Sequence, residues 1–396
     1  MNWRWVPPVA SPISLRSLVV GAGAATGVLP ARRESLERHI AVAFSGDAVA
    51  LTDSGTSALI IALRAALPKG GVVAYPAYAC IDIIAAAIHA RVGVRIYDVD
   101  PQTLSPDLDS LRAALARGAA AVLVAPLYGY PVDHQAVASI AREHGVAVIE
   151  DAAQGAAGTL HGKRIGSFGD VTVLSFGRGK GTTGGSGGAV IARGAAWVAR
   201  MNEAASTRRR AQRGVRDVIA LGVQWAAGRP GVYGVPASIP ALALGEMVYH
   251  EAGEPRMISA AAARVVPRAF AADPAAVSSR RARAGRLIAA ASRGNQFSAV
   301  RAVEGGEPGY LRLPVVDATG SATAAPRLGA LRGYPVTLDE HQETRRVLVA
   351  GEAANAGART LRDRLFTVPT HALMSAGDER RLAGWLSAVA RGGDGT

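Results

Sequence analysis

The chain has 396 residues, and 49% of them are hydrophobic, which is enough apolar material for more than one buried core. Its 44 basic residues outnumber 31 acidic ones and give a net charge of +13, which indicates that the protein binds phosphorylated substrates or an anionic surface. The sequence has no zinc-finger spacing and no RNA-binding signature, so we expect no binding of nucleic acid. The single cysteine, Cys80, excludes an intrachain disulfide framework and a cysteine-rich zinc site, so no metal is expected.

The first 34 residues are predicted to form an N-terminal arm. Their apolar part is too short and too rich in glycine for a signal peptide or a membrane span, so we expect a cytoplasmic protein. The stretch VVGAGAATG (19–27) has a glycine rhythm like that of a dinucleotide-binding turn, with Asp53 where a ribose-binding acid would stand. Its spacing is GxGxxxG and Pro30 interrupts the helix that should follow, so a nicotinamide oxidoreductase is kept only as an alternative.

A large domain is predicted over residues 35–265. Short β-branched runs alternate there with alanine-rich helical stretches, which predicts an α/β fold with a mostly parallel seven-stranded sheet and helices on both faces. The last two strands are too close together for a helical crossover, so at least one of them should be antiparallel. The predicted strands span 48–54, 72–78, 92–100, 120–129, 146–153, 171–177 and 187–194, and the predicted helices span 56–67, 82–90, 108–118 and 134–145.

Residues 195–255 break this rhythm and are predicted to be an insertion in the large domain. Five arginines between 208 and 216 precede the apolar run VIALGVQWAAG (218–228), and a proline-containing apolar run follows at 233–250. Eleven apolar residues cannot span a bilayer, but a basic cluster beside Trp225 is compatible with peripheral contact of 208–228 with a membrane. The composition favours a helix and loop that pack on a partner subunit beside a solvated basic face.

The remainder of the chain is predicted to form a smaller C-terminal α+β domain over 266–390. Helical segments are expected around 278–292 and 339–357, between apolar extended pieces. Residues 391–396 are predicted to be a disordered tail.

The motif SGTSAL (54–59) places a glycine turn between a predicted strand and a helix. Amides at a helix start carry partial positive charge and form a seat for a phosphate, to which Gly55 contributes backbone and Thr56 and Ser57 contribute hydroxyl groups. The alternative is an ordinary helix cap.

The motif VIEDAAQ (148–154) ends an apolar strand with Asp151. A carboxylate in a cleft is costly unless a cation meets it, and a protonated pyridine nitrogen would be such a cation. Gln154 could then bond the phenolic oxygen of the same ring. The alternative is a helix cap or a salt bridge to an arginine.

The motif SFGRGKGTTGGSGGAV (175–190) contains Lys180, one of only three lysines in the chain, with Lys69 and Lys163. A lysine amine can lose a proton and attack a carbonyl, which arginine cannot do, so Lys180 is the candidate for covalent chemistry. Ser175 can donate to the same phosphate as Thr56. The alternative is a phosphate-binding or solvated lysine; the nearby turn GSFGD (166–170) is expected only to shape the chain.

Together these motifs resemble those of the DegT/DnrJ/StrS-type sugar aminotransferases, fold-type I pyridoxal-phosphate enzymes with the aspartate aminotransferase fold. The resemblance covers about 35–390 and includes LYGYPVD (127–133), EPRMISAAAA (254–263) and FTVPTHALMSAGDERRL (366–382). It implies Lys180 as the Schiff-base lysine and Asp151 as the partner of the pyridine nitrogen. It also implies Gln154 beside the ring oxygen, and Gly55, Thr56, Ser57 and Ser175 at the phosphate.

The same resemblance implies an enzyme that transfers an amino group from an amino acid, glutamate in most of the family, to a keto sugar or another carbonyl acceptor. A nucleotide-linked acceptor agrees with the arginine excess. A homodimer with shared active sites is implied, with Arg256 contributed by the partner subunit. Where the family has an aromatic residue on the cofactor ring the chain has Cys80, and Tyr78 lies two residues earlier. The alternative is a diverged or membrane-associated protein that keeps the fold and acts on another carbonyl substrate.

Overall fold

The computed structural model describes residues 4–155, 157–239, 248–350 and 355–388. The β-strands are β1 (Ala48–Thr52), β2 (Val72–Pro76), β3 (Gly93–Tyr97), β4 (Ala121–Val124), β5 (Ala147–Asp151), β6 (Thr159–Leu160), β7 (Lys163–Arg164), β8 (Val171–Ser175), β9 (Gly188–Ala192), β10 (Phe297–Ala299), β11 (Gly306–Glu307), β12 (Leu313–Asp317), β13 (Leu331–Arg332) and β14 (Leu365–Val368). The α-helices are α1 (Leu15–Thr26), α2 (Arg33–Ala43), α3 (Gly55–Ala66), α4 (Asp82–Ala90), α5 (Leu108–Ala116), α6 (His134–Glu143), α7 (Ala195–Ser206), α8 (Val215–Ala227), α9 (Pro230–Ala237), α10 (Ala260–Ala291), α11 (Ala356–Arg364) and α12 (Ala376–Leu386).

A seven-stranded sheet organises the N-terminal half, with the order β1-β9-β8-β5-β4-β2-β3. Strands β3, β2, β4, β5 and β8 pair in parallel, whereas β9 pairs antiparallel with both β8 and β1. The α/β fold is therefore confirmed, as is the prediction that at least one of the last two strands is antiparallel. All seven predicted strands and all four predicted helices of this region occur within a few residues of their expected bounds.

Burial on both faces explains why these strands are apolar along their whole length. Strand β4 is buried at every position, and β2, β3 and β8 are buried at all but one. Helix α3 packs into the same core, because its alanine and leucine residues are buried almost all round the helix. Parallel strands covered by helices on both faces lose the polar alternation of a half-exposed sheet.

The C-terminal part is built around the four-stranded sheet β10-β12-β14-β13. Its core joins the second half of α10 to α12 through residues such as Leu287, Phe366 and Leu382. Helix α10 is continuous across the predicted domain boundary at 265, and the predicted helix at 278–292 is its C-terminal part. Over the described residues 339–350 the predicted helix at 339–357 is not formed: 3-10 turns occupy Leu338–Glu340 and Gln342–Arg346. Residues 351–354 lie outside the described residues, and α11 begins at Ala356. The tail at 391–396 lies outside the described residues.

The glycine-rich stretch 19–27 lies in α1, which ends with Gly27 in the left-handed conformation. Since a dinucleotide-binding turn requires its glycines between a strand and a helix, this placement disfavours the nicotinamide alternative. The predicted insertion contains α8 and α9, and part of its apolar run at 233–250 lies outside the described residues. Within the described ranges, none of the helices has the length and apolar character needed to cross a membrane.

Candidate active site

A cavity of about 310 Å³ opens at the carboxyl edge of the large sheet. Its walls include residues from the loops after β1, β2 and β4 and the last residues of β5 and β8. In open α/β sheets this edge is the usual position of a ligand site. Most of the residues singled out from the sequence line it: Gly55, Thr56, Cys80, Asp151, Gln154, Ser175 and Lys180.

Gly55, Thr56 and Ser175 form what we term the anion seat. Helix α3 begins at Gly55 and meets the end of β8 so closely that a Cβ atom on Gly55 would lie 2.7 Å from the Ser175 Cβ. The first-turn amides of α3 have no partners within the helix, and the helix dipole adds positive charge beside the two hydroxyl groups. Ser57 does not line the cavity: its amide donates to the Ser54 Oγ at 3.0 Å, so it takes part in the helix cap.

Asp151 ends β5 and faces the cavity that Lys180 also lines. Its Oδ1 accepts a 3.0 Å hydrogen bond from the Ala153 amide, and no arginine pairs with it in the described part of the chain. Burial raises the pKa of Asp151, and the Ala153 amide and the charge of Lys180 offset only part of this effect. The cost of burying the Asp151 carboxylate is therefore offset only in part, and a cationic N–H group in the cavity would stabilise its charged form.

A tyrosine cluster backs the wall beside Gln154. The Gln154 Nε2 donates to the Tyr334 hydroxyl at 2.7 Å, and its Oε1 accepts from the Tyr128 amide at 3.2 Å, so the side chain is held on both sides. Tyr78 is buried behind this wall, where its hydroxyl accepts from the Tyr334 amide at 2.7 Å and its ring lies 5.3 Å from the Tyr334 ring. Cys80, not Tyr78, lines the cavity, and burial raises the pKa of its thiol to about 12.

The loop that carries Lys180 is tied to the N-terminal arm, a contact that no motif in the sequence indicated. The Ser11 hydroxyl donates to the Lys180 carbonyl at 2.6 Å, and Val9 lies next to Gly179. Arg178, which the motif analysis did not single out, lines the cavity from the same loop. A lone serine in a proline-rich arm carries no signal of a partner almost 170 positions away.

Arg256 does not line the cavity, but its backbone is hydrogen-bonded to Asp53 of the same chain, which does. Its amide donates to the Asp53 Oδ1 at 3.2 Å, and its carbonyl accepts from the Asp53 amide at 3.0 Å. Asp53 itself lines the cavity, so its carboxylate anchors the EPRM segment there. The contribution of Arg256 to a partner subunit's site stays a prediction.

The turn 166–170 is folded around a buried carboxylate. Glu150, fully buried in β5, accepts hydrogen bonds from the Gly166 amide at 2.7 Å and the Phe168 amide at 2.8 Å. Burial alone would raise the pKa of Glu150, but His134 at 3.2 Å and these amides lower it to about 2. This agrees with the expectation that the turn shapes the chain.

The chain is similar in sequence to known aminotransferases. The model of the DegT/DnrJ/EryC1/StrS aminotransferase family matches residues 29–222. A UDP-N-acetyl-3-dehydro-alpha-D-glucosamine 3-aminotransferase of Acidithiobacillus ferrooxidans is 34% identical over 31% of this chain, and the match spans about a third of that relative, 34% of its length.

Two solved structures show the same fold over nearly the whole chain. The aminotransferase TlmJ from Streptoalloteichus hindustanus has a TM-score of 0.76, 21% identity and coverage of 96% of this chain and 98% of its own. GDP-4-keto-6-deoxy-D-mannose-3-dehydratase of E. coli, solved with bound hydrated PLP, has a TM-score of 0.75, 15% identity and coverage of 96% and 99%.

Proposed function

Because this chain belongs to the DegT/DnrJ/EryC1/StrS aminotransferase family, we propose that it is a pyridoxal-phosphate-dependent aminotransferase. It moves an amino group from an amino acid, with glutamate as the expected donor, to a nucleotide-linked keto sugar in polysaccharide or natural-product biosynthesis. The observation that carries the proposal is that Lys180, Asp151 and the anion seat line one cavity at the carboxyl edge of the sheet. The lysine at 180, where dehydratase-type relatives have histidine, favours transamination.

The polar groups that line the cavity are of the kinds that pyridoxal phosphate needs for its phosphate and its ring nitrogen. The anion seat would hold the phosphate, and the packing of Gly55 against Ser175 is what brings the α3 amides and the Ser175 hydroxyl to one point. Asp151, with its raised pKa and no arginine partner in the described ranges, would take the ring N–H. Gln154 and Cys80 would lie beside the ring. When bound, the cofactor supplies an electron sink that makes an α-proton of the donor removable.

Lys180 and Asp151 would have different roles in the reaction. The Lys180 amine would hold the cofactor between turnovers and, when released, would move a proton to and from the α-carbon of the bound donor. Asp151 would keep the ring nitrogen protonated, because a buried carboxylate and an N–H cation stabilise each other. The hydrogen bond between Ser11 and the Lys180 carbonyl holds the loop that presents this amine.

The decisive experiment locates the covalent bond to the cofactor. Wild-type protein loaded with pyridoxal phosphate, reduced with borohydride and digested should carry the adduct on the peptide that contains Lys180. Lys69→Ala is the matched control, since Lys69 is an exposed lysine on another surface. The control should keep the adduct and Lys180→Ala should lose it. An adduct on another lysine, or one that persists in Lys180→Ala, would contradict the proposal.

Release of a keto acid tests the reaction class separately. Loaded wild-type protein mixed with glutamate, without any acceptor, should release 2-oxoglutarate in a single turnover. Protein that carries the Lys180 adduct but releases no keto acid from any amino donor would be the catalytically diverged alternative.

A homodimer with shared active sites, acting in the cytoplasm, is part of the proposal, as is peripheral contact of residues 208–228 with a membrane. Arg256 of the partner subunit is the proposed contributor to the shared site. Mixing Lys180→Ala with Arg256→Ala tests this, because a mixed dimer contains one site with neither change. Activity should then recover to about a quarter of wild type, whereas sites built within one chain would stay inactive on mixing.

A further inference from the structure

Exposed apolar side chains are concentrated on three neighbouring helices, because α8 packs against both α1 and α9. In the part of the chain that the structure describes, nine of thirteen exposed large apolar residues lie on α1, α8 and α9 or directly after α1 and α9. Soluble surfaces normally scatter such residues singly, and a cluster marks an interaction surface. We term this cluster the apolar face; it consists of Leu15, Val19, Val28, Val215, Ile219, Val223, Val232, Val235 and Ile239.

The spacing of these residues places those of α8 on one face of that helix and those of α1 on one face of α1. Val215, Ile219 and Val223 are four residues apart in α8 and about 60% exposed, whereas Leu221 is fully buried against the body of the protein. Helix α1 packs beside α8 and exposes Leu15 and Val19 in the same four-residue rhythm. Residues four apart lie one above the other on a helix, so each of these two packed helices presents an apolar stripe to solvent.

Exposed arginines are concentrated in the segment that carries α8 and leads into α9. Residues 208–229 contain six arginines and only one acidic residue, Asp217. The arginines at 209, 210, 213, 216 and 229 are exposed. The Arg229 guanidinium stacks over the Trp225 ring at 4.1 Å, which joins an amphipathic ring to a cation at the edge of the face. Aromatic and basic groups bordering an apolar stripe are typical of helices that lie in a membrane interface.

A second copy of the chain fits this surface less well. A two-fold contact places the same patch on both subunits, so the arginines of one copy would approach those of the other. Like charges brought together in this way oppose association. Anionic phospholipid headgroups supply the opposite charge and the acyl region supplies the apolar partner, so lipid complements both properties of the face.

We propose that the apolar face docks the protein on anionic phospholipid surfaces, with α8 and α9 in the interface and the arginines on the headgroup phosphates. The inference rests on the proposed function for its purpose, which is to hold a keto-sugar aminotransferase at a membrane surface. Docking itself requires no turnover. Binding to vesicles and release of keto acid can therefore fail independently.

Vesicle flotation of the full chain tests the proposal. Wild-type protein should float with vesicles of equal parts phosphatidylglycerol and phosphatidylcholine, and only weakly with pure phosphatidylcholine. Ile219→Asp should weaken binding about tenfold or more, since one buried isoleucine side chain is worth roughly 1.5–3 kcal/mol. Its matched control is Val42→Asp, because Val42 is 85% exposed on α2, outside the apolar face.

A second pair of variants tests the contribution of the arginine charges to vesicle binding. Arg213→Glu with Arg216→Glu should weaken binding about 25-fold or more, as each basic group near the headgroups contributes roughly fivefold. Arg38→Glu with Arg142→Glu makes the same change in net charge at exposed positions on α2 and α6, and should bind nearly as wild type. All variants should keep the wild-type melting temperature within a few degrees.

Three results would overturn the inference. Equal binding to neutral and anionic vesicles would remove the role of the arginines. Equal losses in the face variants and their controls would show that binding is not located on the apolar face. A vesicle-free dimer that Ile219→Asp dissociates while Val42→Asp does not would assign the face to a second copy of the chain.

Discussion

Replacing Gly55 with alanine tests the anion seat where α3 meets β8. The added Cβ would lie 2.7 Å from the Ser175 Cβ and 2.8 Å from its Oγ, several tenths of an ångström inside ordinary contact distance. Gly55 is helical, so alanine strains no dihedral angle and the effect is steric alone. Forcing one methyl group into a packed contact costs about 1–3 kcal/mol. Ser175 must move, and the dissociation constant of pyridoxal phosphate should rise about fivefold to a hundredfold.

The assay for Gly55→Ala separates binding from stability. The dissociation constant is measured by titrating pyridoxal phosphate into cofactor-free protein, and the melting temperature is measured without cofactor. Gly285→Ala is the matched control, because a Cβ there meets nothing within 4 Å and alanine stabilises a helix interior by roughly 0.5–1 kcal/mol. A Gly55→Ala protein that binds the cofactor within twofold of wild type would refute the assignment of the anion seat.

Three further predictions concern single side chains. Asp151→Asn should keep the cofactor but slow keto-acid release about a hundredfold or more, measured in a single turnover, since the ring nitrogen loses its charge partner. The pKa of Glu150 in the folded protein, about 2, lies below the usual 4.5. The ionised carboxylate therefore stabilises the fold fully above pH 4.5, and this stabilisation is lost as the pH falls towards 2. The free energy of unfolding of Glu150→Gln, measured in urea, should depend less on pH over this range than that of the wild type. Ser11→Ala should increase amide exchange around Lys180 in cofactor-free protein, unlike Ser292→Ala, which removes a similar serine-to-carbonyl bond on α10.

The large sheet could be predicted well because its strands are buried on both faces. Continuous β-branched runs such as 171–177 favour buried strands when alanine-rich helical stretches separate them. The structure of the C-terminal domain was harder to predict from the sequence, because tertiary contacts determine its short strands and 3-10 turns. Residues around 339–349 have a helical composition, but the Val94 amide donates to the Val347 carbonyl and the Val94 carbonyl accepts from the Val349 amide at the edge of the large sheet. Such a long-range pairing overrides local propensity and leaves no local signal.

The same distinction separates the site residues that motifs identified from those that only the fold reveals. Asp151 and Lys180 were identifiable because Asp151 ends a strand and Lys180 follows one, and strand ends converge at one edge of a parallel sheet. The hydrogen bond between Gln154 and Tyr334 joins residues 180 positions apart, so no spacing rule predicts it. Tyr78 stands at the end of a predicted strand, but the turn after β2 brings Cys80 to the cavity instead.

The N-terminal arm connects the apolar face to the reactive loop. The Trp5 amide donates to the Pro230 carbonyl at the start of α9, the Pro7 carbonyl accepts from the His371 Nε2 at 2.7 Å, and Ser11 bonds Lys180. Burial lowers the pKa of His371 to about 4, so the ring stays neutral at physiological pH and this anchor does not change there. The short stretch 5–11 therefore links α9 to the lysine loop through hydrogen bonds, so a shift of α9 at a lipid surface would be transmitted to Lys180 along the arm.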